Sequence, residues 1–145
     1  MQDLIQLRKE IHQNPELSGF EKETAKRVIN FIKPFGPDEI ITNVGGDGIL
    51  IVFNGKEPGK TVLFRAELDA LPIQEVNDFS YKSLTDNVSH KCGHDGHATI
   101  LCGLAKKLSS DRPQKGRIIL LFQPAEENGM GAVVMYNDDK FKPYY

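Results

Sequence analysis

Apolar residues recur every three to four positions over the first quarter of the chain, and this spacing predicts two helices. The first helix ends at Asn14-Pro15, because proline lacks the amide hydrogen that a helix interior needs. The second helix, of about four turns, begins at a capping box formed by Ser18 and Glu21 and is stopped by Pro34. The apolar residues of the two helices are Leu4, Leu7 and Ile11, followed by Ala25, Val28, Ile29 and Ile32.

The rest of the chain contains short apolar runs that predict strands and two further helical segments. The runs 49–53 and 61–64 are apolar without alternation, which is typical of strands that are covered on both faces. The order of strand, helix, strand and helix in the second half predicts an α/β domain. The predicted strands span 40–42, 49–53, 61–64 and 117–122, and the further helices span 93–108 and about 131–137.

Composition and charge narrow the classes of function. With 39% hydrophobic and 26% charged residues, the 145-residue chain is typical of a globular domain. Its formal net charge of -2 provides no surplus of Lys and Arg for binding nucleic acid. The N-terminus lacks the apolar core of a signal peptide, and no run of about 18 apolar residues occurs. We therefore expect a cytoplasmic protein with neither a nucleic acid nor a membrane partner.

Three polar segments lie beside the predicted ends of strands and helices, where open α/β sheets bind their ligands. Segment 65–69 follows a strand, segment 92–97 precedes a helix, and segment 123–127 follows the next strand. Each segment taken alone has an ordinary structural explanation. Their expected convergence at one edge of the sheet is the strongest functional signal in the sequence.

The residue types in these segments suit metal-assisted hydrolysis. A thiolate, an imidazole and a carboxylate are ligands that zinc accepts, and Cys92 and His94 can point to one side if their segment is extended. We expect the adjacent carboxylates of Glu126 and Glu127 to point in different directions, so that one can hold a metal while the other moves a proton. Hydrolysis needs this division, because the metal activates water and a free carboxylate carries the proton to the leaving nitrogen.

Other histidines and cysteines have structural interpretations. His97 is expected to be a first-turn helical residue with local hydrogen bonds, and Cys102 a small buried residue within the same helix. His12 and His90 are also expected to be structural. Nucleophilic catalysis by Cys92 is a poorer interpretation, because it leaves the glutamate pair unexplained.

The three polar segments resemble successive signatures of the aminoacylase/carboxypeptidase family of co-catalytic metallohydrolases, in its amidohydrolase branch. The matching residues are RAELDALPI at 65–73, HKCGHDGH at 90–97 and FQPAEE at 122–127, preceded by LRKEIHQNPELS at 7–18. The branch includes hippurate hydrolase, N-acetyldiaminopimelate deacetylase and the auxin-conjugate amidohydrolases. The resemblance implies a three-layer α/β/α zinc-exopeptidase-like sandwich with a mixed central sheet, which is incomplete in this chain.

Carried over residue by residue, the resemblance implies a set of roles. Cys92, His94 and Glu127 correspond to metal ligands, Glu126 to the general base and acid, and Asp69 to an active-site carboxylate that supports the metal cluster. The implied cofactor is a divalent metal, zinc or manganese, with two ions per site in the family and at most one weakly held here. The implied activity is hydrolysis of the amide bond of N-acyl amino acids or small peptides by metal-activated water.

The chain also departs from the branch in sequence and in length. Glu67 stands where aspartate is usual, and Lys91 stands where a small residue is usual, although we expect its long side chain to carry the charge to water. Family members are more than twice as long. We therefore interpret residues 1–145 as the N-terminal portion of the catalytic domain, without the lid and dimerisation domain and the C-terminal catalytic portion, and expect little or no turnover.

An alternative is a non-catalytic metal-binding or self-associating module derived from the enzyme. An incomplete sheet leaves an open strand edge and apolar surface, which favour pairing with another chain. The corresponding partner is a second copy of the chain, joined through the exposed sheet edge. Under the leading interpretation the partner is instead an N-acyl amino acid or peptide substrate.

Overall fold

Four α-helices and four strands make up the chain, which a computed structural model describes from Met1 to Tyr145. Every predicted helix and strand is present. None of the helices has the length and apolar character that a membrane crossing requires. Short 3-10 turns follow the second helix and end the chain. The elements are α1 (Gln2–Gln13), α2 (Lys22–Ile32), β1 (Glu39–Val44), β2 (Gly48–Asn54), β3 (Glu57–Glu67), α3 (His94–Ser110), β4 (Lys115–Gln123) and α4 (Gly131–Tyr136).

The strands form one mixed sheet in the order β1-β2-β4-β3. Strand β2 pairs antiparallel with both β1 and β4, whereas β3 and β4 are parallel. A parallel pair requires a crossover connection, and α3 lies within the one that joins β3 to β4. The mixed sheet agrees with the fold that the sequence predicts.

Apolar side chains cover both faces of this sheet and produce three layers. Helices α1, α2 and α3 pack on one face, around a core that includes Phe53 and Phe122. On the other face, Met135 of α4 and the nearby Phe141 pack against Leu50. The expected α/β/α arrangement is therefore confirmed, with a thin third layer.

Strand β3 does not follow the prediction that runs 49–53 and 61–64 are both covered. Strand β2 is buried along nearly its whole length, but β3 lies at the edge of the sheet. Its residues Val62, Leu63 and Phe64 remain 48%, 39% and 43% exposed. A continuous apolar run therefore identified a strand without showing that one side of it is open. That side presents backbone N–H and C=O groups without a neighbouring strand.

Helix α2 begins without the predicted capping box. The residue at the N-cap position makes no side-chain hydrogen bond to the helix; the side chain of Glu16 instead accepts a hydrogen bond from a first-turn amide at 2.6 Å. Ser18 donates to Asp69 at 2.7 Å, and Glu21 accepts from the Ala125 amide at 2.7 Å. The two residues of the predicted box thus connect the turn before α2 to the polar segments that follow β3 and β4.

Candidate metal centre

The three polar segments meet at the C-terminal ends of β3 and β4. Asp69 lies just beyond β3, and Glu126 and Glu127 lie in the turn after β4. Cys92 and His94 approach from the start of α3. Because parallel strands end at the same edge of a sheet, the crossover brings all five candidate residues to one place.

His94 occupies the centre of this group and is only 3% exposed. Its Nδ1 lies 2.8 Å from the backbone carbonyl oxygen of Asp69, which leaves Nε2 as the nitrogen with a free lone pair. Nε2 lies 3.7 Å from Glu127 Oε1, 3.8 Å from Glu126 Oε2 and 3.9 Å from Glu67 Oε2. These distances exceed a hydrogen bond. A buried imidazole nitrogen that faces several carboxylate oxygens without bonding them is an arrangement suited to a cation.

The same carboxylates change the protonation of the candidate ligands. Burial by itself lowers the pKa of His94, but its contacts with Asp69 and the nearby Glu67 outweigh burial and raise the pKa. Burial raises the pKa of the Cys92 thiol, and Glu127 raises it further. Both groups thus respond to an excess of negative charge, which a divalent cation neutralises.

Cys92, His94 and Glu127 each offer a ligand atom, and the three atoms lie within 4.8 Å of one another. The local backbone, however, is not the predicted extended segment. Gly93 has φ 101, in the left-handed region, and α3 begins immediately after it at His94. Glycine adopts this conformation without the penalty of a Cβ atom. A tight turn, rather than strand alternation, therefore places the thiol beside the imidazole.

The two adjacent glutamates both approach His94, so the expectation that they point in different directions is wrong. They differ instead in exposure, with 18% of the Glu127 side chain accessible and 38% of the Glu126 side chain. Glu127 Oε1 is buried without a hydrogen-bond partner. Such an atom is unfavourable unless something binds it, so Glu127 suits a metal ligand. The more exposed Glu126 is open to a substrate.

Asp69 is hydrogen-bonded to several parts of the candidate metal centre. Its side chain is fully buried, and Oδ2 accepts hydrogen bonds from Ser18 Oγ at 2.7 Å and from the Glu127 amide at 2.9 Å. Burial alone raises the pKa of Asp69, but the donors, His94 first among them, outweigh it and lower the pKa to about 2. Asp69 is therefore ionised at neutral pH and orients both His94 and the Glu127 backbone.

The turn that carries the glutamates is fixed from two sides. Ala125 has a positive φ of 50, its amide donates to Glu21, and its carbonyl accepts from the Gly131 amide at 2.8 Å. A Cβ atom on Gly131 would lie 1.7 Å from the carbonyl oxygen of Pro124. Glycine is therefore required where α4 begins, because any side chain there displaces the turn.

Replacing Glu21 with glutamine is expected to stabilise the fold at neutral pH. Burial raises the pKa of Glu21 above its usual value of 4.5, and the Ala125 and Gly19 amides offset this only in part. A raised folded-state pKa gives stability that is present below the unfolded pKa and lost as pH rises through the folded pKa. Glutamine keeps an acceptor oxygen and carries no charge. The free energy of unfolding of the variant, relative to that of the wild type, should therefore increase as pH increases.

Urea unfolding at about pH 4 and about pH 7 measures this effect. We expect the two proteins to have similar free energies of unfolding at the lower pH and the variant to be more stable at the higher pH. Glu23→Gln, at an exposed position of α2, is the matched control. A variant that is less stable than the wild type at the higher pH contradicts the assignment.

A second group of charged side chains connects α1 to the start of α3 and to the loop that precedes it. Asp95 Oδ2 forms an ion pair with Arg8, whose Nε lies 2.7 Å away, and lies 2.8 Å from His12 Nδ1. The other ring nitrogen of His12 lies 3.2 Å from Glu75, which also accepts from Lys91 Nζ at 2.6 Å. Lys91 is an exposed residue, as expected, but its ammonium forms an ion pair with Glu75 instead of lying free in water. This network, which the sequence pattern did not reveal, joins the loop before α3 to α1.

The remaining histidines and cysteine have distinct environments. Cys102 is fully buried within α3, as predicted. His90 is buried with both ring nitrogens unpartnered, and burial lowers its pKa to about 4. His97 departs from the expectation of local hydrogen bonds, because its Nδ1 lies 3.0 Å from Oε2 of Glu67 at the end of β3.

The α/β/α layers, with a thiol, an imidazole and carboxylates at the strand ends, define the class of metal-dependent hydrolases. Comparison with protein families agrees with this class. The model of Peptidase family M20/M25/M40 matches residues 63–145, and the chain belongs to this family.

Similar proteins make the relationship more specific. The chain is 40% identical over 140 residues to N-acetyldiaminopimelate deacetylase from Enterococcus faecalis and 43% identical over 138 residues to hippurate hydrolase from Campylobacter jejuni. These alignments cover 97% and 95% of this chain but only 37% and 36% of those proteins. The YxeP protein of Bacillus subtilis, described as a dinuclear metal-binding peptidase, superposes with a TM-score of 0.90 at 34% identity, over 97% of this chain and 39% of that one. The resemblance to the amidohydrolases is confirmed, and the chain spans little more than a third of these relatives.

Proposed function

We propose that residues 1–145 are the N-terminal portion of the catalytic domain of a metal-dependent amidohydrolase, which cleaves the amide bond of N-acyl amino acids or small peptides. The observation that carries this proposal is the free Nε2 of buried His94, which faces Glu126 and Glu127 beside the Cys92 thiol. The deacetylase and the hippurate hydrolase among the relatives are named for N-acyl substrates, which supports this substrate class.

Three side chains are suited to hold the metal. Cys92, His94 and Glu127 supply one sulfur, one nitrogen and one oxygen, a combination that fits zinc and, with its harder ligands, manganese. When bound, a divalent ion polarises the amide carbonyl and lowers the pKa of water. Oε1 of Glu127, buried and unpartnered, would gain a partner in the metal, and the Cys92 thiol would bind as a thiolate after losing its proton to water.

Two carboxylates have different tasks in the proposed reaction. Glu126 accepts a proton from the attacking water and donates it to the leaving nitrogen, because it is the more exposed of the two adjacent glutamates. Asp69 keeps Nδ1 of His94 engaged through its backbone carbonyl, with the carboxylate Oδ1 3.3 Å away, so that Nε2 is left with a free lone pair for a metal. Asp69 thus acts on the ligand geometry.

The proposal is tested by hydrolysis of a panel of N-acyl amino acids, from N-acetyl to N-benzoyl compounds. The chain is loaded in turn with zinc, manganese or cobalt. We expect little or no turnover, and we expect any hydrolysis to depend on the metal and to stay well below the roughly 10 per second that is typical of enzymes, because the three side chains suffice for only one ion. Hydrolysis that persists after chelation, or turnover at that typical rate, contradicts the proposal.

We place this chemistry in the cytoplasm. Cys92 is exposed and binds a metal only as a reduced thiol. A reducing compartment keeps such a thiol from forming disulfides.

A second candidate function is self-association, which the open edge of β3 favours. We propose that a second copy of the chain pairs its own β3 with this edge, because a twofold axis allows two identical strands to pair antiparallel. The exposed Val62, Leu63 and Phe64 would then become partly buried. The arrangement satisfies backbone groups that one chain alone leaves open.

Static light scattering over a range of concentrations tests the pairing. We expect a dimer that Leu63→Lys converts to a monomer, because a charge at the paired edge opposes association. Val76→Lys is the matched control, since Val76 is 87% exposed and lies outside the sheet. A wild-type chain that remains monomeric at high concentration rules this candidate out.

A further inference from the structure

A second group of potential ligands lies beside the first and shares His94 with it. Glu67, His94 and His97 each offer one ligand atom, and these atoms also lie within 4.8 Å of one another. His94 and His97 lie three residues apart on α3, a spacing that places side chains on the same face of a helix. Glu67 reaches them from the end of β3.

The distances in this group fit a metal ion. Oε2 of Glu67 lies 3.0 Å from Nδ1 of His97 and 3.9 Å from Nε2 of His94. Two ligands that each lie about 2.1 Å from a tetrahedral zinc are about 3.4 Å apart, between these two values. The side chain of His97 is 52% exposed, so it can adjust its position without disturbing the core.

The orientation of Glu67 favours the same site. Its other oxygen, Oε1, forms an ion pair with Arg65, whose Nη1 lies 3.1 Å away, while Oε2 faces the two histidines. Two imidazoles and one carboxylate form a ligand set that leaves further coordination positions open to water or substrate.

We propose that Glu67, His94 and His97 form a second metal position, which competes with the position at Cys92 and Glu127 for Nε2 of His94. The competition is unavoidable, because Nδ1 of His94 is engaged by Asp69. The chain therefore holds one ion at a time, and the chemistry of the ion selects the position. Zinc prefers the position with the thiolate, whereas manganese prefers the one with only nitrogen and oxygen ligands.

Cobalt titration of the chain separates the two positions. Cobalt bound to a thiolate shows an intense near-ultraviolet charge-transfer band, and cobalt bound to nitrogen and oxygen alone does not. We expect one cobalt per chain with the band in the wild type and in His97→Asn. Cys92→Ser should also bind one cobalt, without the band, and Cys92→Ser combined with His97→Asn should bind it at least about 100-fold more weakly than Cys92→Ser alone.

Manganese binding, measured by the electron paramagnetic resonance signal of the free ion, provides an independent reading. His97→Asn and Glu67→Gln should each weaken manganese binding at least about tenfold, whereas Ile100→Gln, at a 73% exposed position of α3, should not. Thermal unfolding of each metal-free variant shows whether the fold is retained. Because His97 is half exposed, its replacement should leave the midpoint unchanged.

Two results overturn the second position. They are loss of all cobalt binding in Cys92→Ser, and equal cobalt affinity in Cys92→Ser with and without His97→Asn. The proposed hydrolytic site fails separately: a wild-type chain without the charge-transfer band, combined with retained binding in Cys92→Ser, removes the Cys92 position and leaves the second position standing.

Discussion

Replacing Glu126 with glutamine is expected to reduce metal-dependent amide hydrolysis about 1,000-fold and to leave metal binding unchanged. Glutamine has the same shape, but its amide cannot accept the proton of water. The Glu126 carboxylate lies 3.8 Å from Nε2 of His94 and is the more exposed of the adjacent pair, so its loss should affect proton transfer more than ligation. The measurement is kcat/KM for the most reactive N-acyl amino acid of the panel, together with the metal content of the purified chain.

Glu127→Gln provides the opposite pattern. It replaces the buried carboxylate by a neutral amide, which is a weaker ligand for a divalent ion, so we expect metal to be lost first and hydrolysis to fall as a consequence. Glu57→Gln, on the exposed start of β3, controls for the loss of one negative charge. Equal metal content and equal activity in Glu126→Gln and the wild type would refute the assigned role.

Replacing Cys92 with serine is expected to lower the affinity for zinc about 100-fold, because a hydroxyl remains protonated where a thiol ionises on binding. The free energy of zinc binding at a site with four ligands is roughly 10 to 16 kcal/mol, or about 3 kcal/mol per ligand. The loss of one ligand therefore corresponds to about two orders of magnitude in affinity. Competition with a chromophoric chelator measures the change.

Cys102→Ala is the matched control for this substitution. Cys102 is the other cysteine of the chain, but it lies fully buried within α3 and takes no part in the metal centre. Its replacement should leave the zinc affinity unchanged. If Cys92→Ser binds zinc as tightly as the control, the thiol is not a ligand.

The helices and strands could be predicted because their apolar residues repeat with a clear period, and the polar segments could be placed because they follow strands. The same pattern could not distinguish β2 from β3, since both runs are apolar. One is central and the other lies at the open edge of the sheet. Strand order is set by long-range pairing, which periodicity does not encode.

Within the site, residues on short contiguous segments were the predictable ones. The convergence of Cys92, His94 and Glu127 follows from the α/β topology. Glu75 could not be found in this way, because it lies in a loop without periodicity and meets His12 from 63 residues away. The pairing of His97 with Glu67 likewise depends on how the start of α3 docks against β3.

X-ray absorption spectroscopy of the chain loaded with one equivalent of zinc shows whether Cys92, His94 and Glu127 bind one common ion. We expect one sulfur at about 2.3 Å and nitrogen or oxygen atoms at about 2.0 to 2.2 Å from the zinc. A zinc shell of nitrogen and oxygen alone, without sulfur, would contradict it.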